Sequence, residues 1–179
     1  FAARHPDRTD ALVLCCPLAL DRYPVPAALR AALLPGVGEV LTALDRWRRR
    51  RRMADPAARE RAVRRELSTA ELASLDDQLQ AAVTRFLQSH LDAPAGLPGF
   101  RNDVSQARAA TPIATAVSAP TLVLHGDADA VVPVEHGSAY ASAIPGSTFE
   151  VLRGAGHGFL LTRRSEVVPR LVRFVQEHT

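Results

Sequence analysis

The stretch from Thr121 to Leu152 constrains the fold more than any other part of this chain. Thr121-Leu122-Val123-Leu124-His125 is a short strand-like run closed by Gly126-Asp127-Ala128-Asp129. A helical segment over Pro133–Ile144 follows, stopped by Pro145-Gly146, and Thr148–Leu152 reads as a second strand. Strand, helix and strand in that order make a crossover, which sets the two strands parallel and, most simply, side by side. Parallel sheets carry helices on their faces. Near the start, Ala11-Leu12-Val13-Leu14-Cys15-Cys16 is another unbroken apolar run, ended by Pro17. Having no polar alternation, it predicts a strand buried on both faces.

Between these strands the texture is helical, from Leu18 to about Thr111. Pro26–Leu34 ends at Pro35-Gly36, and Val37–Met53 carries a stripe of Val37, Val40, Leu41, Leu44 and Trp47. Asp55-Pro56 supplies a capping acid and a proline at the first helical position. Ser68-x-x-Glu71 has capping-box spacing and predicts a helix running to about Leu91. Leu72, Leu75, Leu79, Val83, Phe86 and Leu87 would form its apolar face. Ala93–Gly99 reads as a loop. After the last strand come Arg153-Gly154-Ala155-Gly156-His157-Gly158 and a closing helix over Arg163–His178, interrupted at Pro169. The chain thus divides into a core segment 1–17, a helical cap inserted over 18–111, and a second core segment 112–179. This is an α/β fold with a helical cap.

Composition narrows the function classes. With 47% apolar and 23% charged residues and a net charge of +3, the 179-residue chain can bury a core and is not of the disordered class. No apolar run approaches the roughly 20 residues of a membrane span. All 22 basic residues are arginines, and ten of them fall within residues 46–65 against only Asp55 and Glu60, a local charge of +8. The remaining residues carry −5, so the basicity belongs to one segment. On a helix, Arg48–Arg52 spread around every face, and Trp47 is the one aromatic beside them. The run predicts a solvated helix end rather than a nucleic-acid site. Cys15 and Cys16 are expected to face opposite ways in their strand. No His-x-x-x-His or Cys-x-x-Cys accompanies them, so no metal centre is predicted. Two cysteines without a disulfide framework fit a reduced, cytoplasmic compartment. The chain starts at Phe1 rather than Met, and its true amino terminus is expected further upstream.

The candidate chemistry rests on Asp129 and His157. Each lies just beyond the carboxyl end of a predicted strand, and 28 residues separate them. Neighbouring parallel strands deliver both loops to one edge, where α/β folds place their sites. A carboxylate that accepts the proton of one imidazole nitrogen fixes the tautomer and steadies the imidazolium. The other nitrogen can then take a proton from a nucleophile and return it to a leaving group. Glycines 154, 156 and 158 leave room for a tight loop around the histidine. Asp127, directly after Gly126, competes for the role of the acid, but is expected to bond the turn backbone. His125 is expected to be packed or hydrogen-bonded at the strand end, and His136 to lie on a helix surface.

At these residues a resemblance appears. Pro120-Thr-Leu-Val-Leu-His-Gly-Asp-Ala-Asp-Ala-Val-Val-Pro133, Ile144-Pro-Gly146 and Gly154-Ala-Gly-His-Gly158 resemble the carboxyl-terminal part of an α/β-hydrolase-fold enzyme. Ala3-Arg-His-Pro-Asp-Arg8 with Ala11-Leu-Val-Leu14 is similar to that family's segment just after the nucleophile helix. The resemblance implies a fold whose amino-terminal strands are missing from these residues, with Asp129 as triad acid and His157 as triad base. The family's Gly-x-Ser-x-Gly elbow does not occur here. The nucleophile is therefore expected roughly ten residues before Phe1, at the family's strand–turn–helix spacing. The resemblance further implies a small-molecule substrate, an apolar ester or similar, and neither metal nor organic cofactor. A dehalogenase, epoxide hydrolase, acyltransferase or cofactor-free haloperoxidase of the same fold stays open, as does a binding module that kept the acid and the histidine by descent. The 179 residues alone are expected to be inactive.

Overall fold

Among the described residues, three strands form one parallel sheet: β1 (Leu12–Cys15), β2 (Thr121–Gly126) and β3 (Thr148–Leu152), in the order β1-β2-β3. Leu12 pairs with Thr121 on one side of β2, and Leu122 pairs with Thr148 on the other. The structure is a computed structural model that describes residues 1–23, 30–31, 34, 36–40, 43–44, 47–48, 55–58, 61, 67, 69–92 and 97–179. The helices between β1 and β2 include α1 (Thr69–Ser74), α2 (Asp77–Asp92) and α3 (Leu97–Ala114). Val134–Ala143 is α4, Phe159–Thr162 is α5 and Arg164–His178 is α6.

Side-chain alternation along β2 builds a core on each face. Val123 joins Ala114, Val117, Ala139, Tyr140 and Ile144, under α3 and α4. Leu122 and Leu124 join Leu152, Phe159 and Val167, under α5 and α6. The whole of β2 is buried, as a central parallel strand requires. β1 is only half-buried along its length, against the expectation of burial on both faces. It stands at the end of the sheet order, with β2 as its one strand partner among the described residues.

Several expectations need correction. The single helix expected over 68–91 is two helices, broken at Leu75-Asp76. Asp76 is the cause: its Oδ1 accepts the Leu79 N–H at 2.7 Å, capping a new helix. On α2 and its neighbour, Val83 packs with Leu67, Leu75 and Leu79, while Phe86 is half exposed. The loop expected over 93–99 is helical from Leu97, because Pro98 falls in the first turn of α3, where its missing N–H has no intrahelical role. Pro169 sits inside α6 without ending it. Cys15 and Cys16 do not face opposite ways. Cys16 leaves the strand with φ 46°, which breaks the alternation, and both side chains pack against the same core. Asp55 caps as expected, its Oδ1 accepting the Ala57 N–H at 3.0 Å. Ser68, Arg49–Arg52 and residues 93–96 lie outside the described residues, as does most of Pro26–Leu34. Among the described residues, no helix is long and apolar enough to cross a membrane.

Candidate active site

The site forms where the loops after β2 and β3 are stitched together. Beyond the strand ladder, the Asp127 N–H donates to Leu152 O at 3.2 Å and the Ala128 N–H to Ala155 O at 3.0 Å. Gly126 makes this approach possible, since a Cβ there would stand 2.1 Å from Ala155 O. Asp127 adds a cross-loop bond, its Oδ1 accepting the Gly154 N–H at 2.6 Å. It therefore serves the backbone as expected, but the backbone of the neighbouring loop rather than of its own turn.

This stitching brings Asp129 against His157. Asp129 Oδ2 lies 2.8 Å from His157 Nδ1, and the carboxylate side chain is wholly shielded from solvent. Its Oδ1 accepts the N–H groups of Val131 and Val132, each at 2.8 Å. His125 Nε2 approaches Oδ2 at 3.5 Å. Burial, the largest single influence, pushes the carboxyl pKa upward. The bonds with His125, His157, Val132 and Val131 together outweigh it and hold Asp129 well below the usual carboxylate range. The group is thus a committed anion facing an imidazole that is about one-third exposed. With the Nδ1 proton donated to this anion, the lone pair of the ring resides on Nε2.

The other histidines have separate tasks. His125 is fully buried, with Nε2 2.8 Å from Val132 O, and α4 rides directly over it. A Cβ on Gly137 would reach within 2.5 Å of His125 Nδ1. His136 is a correction: it is buried, not on the surface. Its Nδ1 accepts the Ala19 N–H at 3.0 Å, and Tyr23 packs on its ring at a centroid distance of 4.5 Å. The chain at Ala19 and Tyr23 is thereby pinned to α4.

Two partners of the site escaped the sequence reading. Cys16 is the first. It leaves β1 with positive φ, and its thiol comes near the Asp129 carboxylate. Burial chiefly, with the influence of the nearby Asp129 carboxylate, pushes its pKa up to about 12, so it is a neutral thiol rather than a thiolate. Donor atoms of Cys16, Asp129 and His157 lie within 4.8 Å of one another. A sulfur, oxygen and nitrogen set of this kind could contact a zinc-like ion, but only by giving up the thiol proton and the direct Asp129–His157 bond. The second is Glu71 of α1, whose Oε2 accepts the Gly156 N–H at 2.7 Å and whose Oε1 accepts the Thr162 hydroxyl at 2.5 Å. Capping-box spacing pointed to Glu71, but nothing local in the sequence points across 85 residues to Gly156.

A groove of about 610 Å³ runs beside β1, lined by Phe1, Leu12, Leu14, Ile113, Tyr140 and Ile144 among others. Neither Asp129 nor His157 lines it, so it is not the space into which this pair works.

Comparison with known proteins agrees with this architecture. The family described as alpha/beta hydrolase fold matches residues 1–163. A curated Synechocystis protein named for non-heme chloroperoxidase activity is 32% identical over 84 residues, covering 46% of this chain and 27% of that protein. Among solved structures, a thermophilic esterase from Thermogutta terrifontis superposes with a TM-score of 0.67 at 24% identity. It is matched over 100% of this chain and 60% of its own. An enol-lactonase from Burkholderia xenovorans superposes with a TM-score of 0.62 at 20% identity, over 98% of this chain and 62% of its own. This chain therefore spans less than two thirds of each relative's length.

Proposed function

The chain belongs to the alpha/beta hydrolase fold family, and from that premise we propose that it carries the acid and base of a Ser–Asp–His triad that hydrolyses a small carboxylic ester. The nucleophilic serine comes from sequence preceding Phe1, and residues 18–111 form the cap over an apolar substrate pocket. The observation that carries this reading is the 2.8 Å contact between the buried Asp129 carboxylate and His157 Nδ1.

The chemistry follows from that contact. His157 Nε2 takes the serine proton as the hydroxyl attacks the ester carbonyl, and Asp129 stabilises the imidazolium that results. The imidazolium then protonates the departing alkoxide, leaving an acyl-enzyme and a free alcohol. Water, deprotonated by His157, attacks the acyl carbon, and the imidazolium returns that proton to the serine oxygen as the C–Oγ bond breaks and the acid is released. Asp129 stays an anion throughout, in keeping with its depressed pKa. No serine within the 179 residues stands in an elbow context, which supports an external nucleophile.

A fluorophosphonate probe tests the assignment on the full-length protein. The expected result is a single labelled serine, in a Gly-x-Ser-x-Gly context preceding Phe1, with ester turnover lost in proportion. Label on a serine within residues 1–179, or full labelling without loss of turnover, contradicts it. Identity to the chloroperoxidase-named relative favours a second reading within the same fold, cofactor-free haloperoxidation. Peroxide-dependent bromination that outpaces ester hydrolysis in one preparation would select it.

A further inference from the structure

Glu71 belongs to the helical insertion, yet its carboxylate is buried among core-segment groups on both sides of His157. The residue is 2% exposed. Oε2 holds the N–H of Gly156, the residue immediately before His157, at 2.7 Å. Oε1 holds the hydroxyl of Thr162, at the end of the helix that begins two residues after His157. The Arg163 guanidinium stands 3.9 Å from Oε1 and supplies countercharge. A buried carboxylate costs free energy unless it is paired and hydrogen-bonded, and Gly156, Thr162 and Arg163 all lie in the segment that carries the imidazole.

We propose that Glu71 is a positioning residue for His157, clamping both flanks of its loop so that docking of the helical insertion sets the Asp129–His157 geometry. The inference rests on the triad reading above. Through the Gly156 peptide, Glu71 fixes where the His157 Cα begins. Through Thr162, it fixes where the chain goes afterwards. Asp129 is itself immobilised by Val131 and Val132. The length of the Asp129–His157 bond therefore depends on the other half, the loop that Glu71 holds.

The test uses the full-length protein carrying Glu71→Met, which keeps a side chain of similar length but offers an oxygen to neither Gly156 nor Thr162. Thr162→Val removes one arm alone and serves as the independent variant. We expect kcat on a chromogenic ester to fall about 10-fold or more in Glu71→Met, and less in Thr162→Val, with KM within about twofold of wild type, since misplacing a catalytic group by about 1 Å can cost up to about 100-fold. The downfield proton resonance of the hydrogen-bonded His157 Nδ1–H should move or broaden in Glu71→Met. Unchanged kcat and an unchanged resonance, in protein shown to be folded by its melting curve, overturn the clamp. A lowered melting temperature with wild-type kcat reduces Glu71 to a structural role and equally overturns it. His157→Ala separates the two levels of argument: if that variant keeps its turnover, the triad reading has failed rather than the clamp.

Discussion

Asp129 combines a carboxylate shielded from solvent with hydrogen bonds to both of its oxygens, and it titrates accordingly. Asp129→Asn should keep the Val131 and Val132 contacts through Oδ1 while presenting an N–H to His157 Nδ1. The imidazole then adopts the wrong tautomer. We predict a fall in kcat of about 10⁴-fold, the size of the same change in a serine protease triad, with KM little altered; steady-state kinetics of the full-length variant measure it. His136 makes a different prediction. Burial chiefly, with the nearby His125, holds its pKa below the ordinary 6.5, against the opposing influence of Glu135 and Asp129. Its Nδ1 must be unprotonated to accept the Ala19 N–H. A depressed histidine binds fewer protons folded than unfolded, so its stabilising contribution is complete above 6.5 and declines as pH falls through that value. The urea midpoint at about pH 5.5, relative to about pH 7.5, should therefore drop less in His136→Gln than in wild type. Equal drops would remove His136 from the linkage.

At the scale of elements, legibility followed sequence distance. β2, α4 and β3 lie where Thr121–Leu152 placed them, because period, proline and glycine signals are local and agree there. The parallel pairing, and with it the approach of Asp129 to His157, followed from crossover geometry alone. What could not be read had non-local or competing causes. Asp76 outbid helix propensity inside an otherwise continuous apolar stripe. Cys16 broke strand alternation by adopting positive φ, which no neighbouring residue signals. His136 looks like a surface residue of α4 until the chain at Ala19–Tyr23 returns across it, and Glu71 reaches Gly156 only in three dimensions. The seam between β2 and the loop after β3 makes its own prediction. Gly126→Ala would drive a methyl into Ala155 O, and neither backbone can yield without breaking the Ala128–Ala155 bond. We expect a loss of about 3 kcal/mol of stability, at the upper end of overpacking costs, read as a lower denaturant midpoint at unchanged m-value. A midpoint within error of wild type would show that the seam is more plastic than its geometry implies.

Across the whole molecule, the sheet order leaves β1 at an edge, and the proposed acid and base sit at the ends of the other two strands. On the proposed reading such a unit carries the acid and the base but no Gly-x-Ser-x-Gly elbow. The 179 residues expressed alone should therefore show no turnover of a chromogenic ester, and their apolar β1 edge should favour association. Turnover by a soluble monomer of these residues would place a nucleophile within them. The central claim is that the imidazole at the rim of this sheet moves the proton in ester cleavage, and the most direct measurement is the turnover number of the full-length protein carrying His157→Ala. The account predicts activity reduced by about 10³-fold or more at a melting temperature within about 2 °C of wild type, since the ring is partly exposed and Asp129 keeps its backbone donors. Turnover close to wild type, in a protein that melts normally, would contradict it.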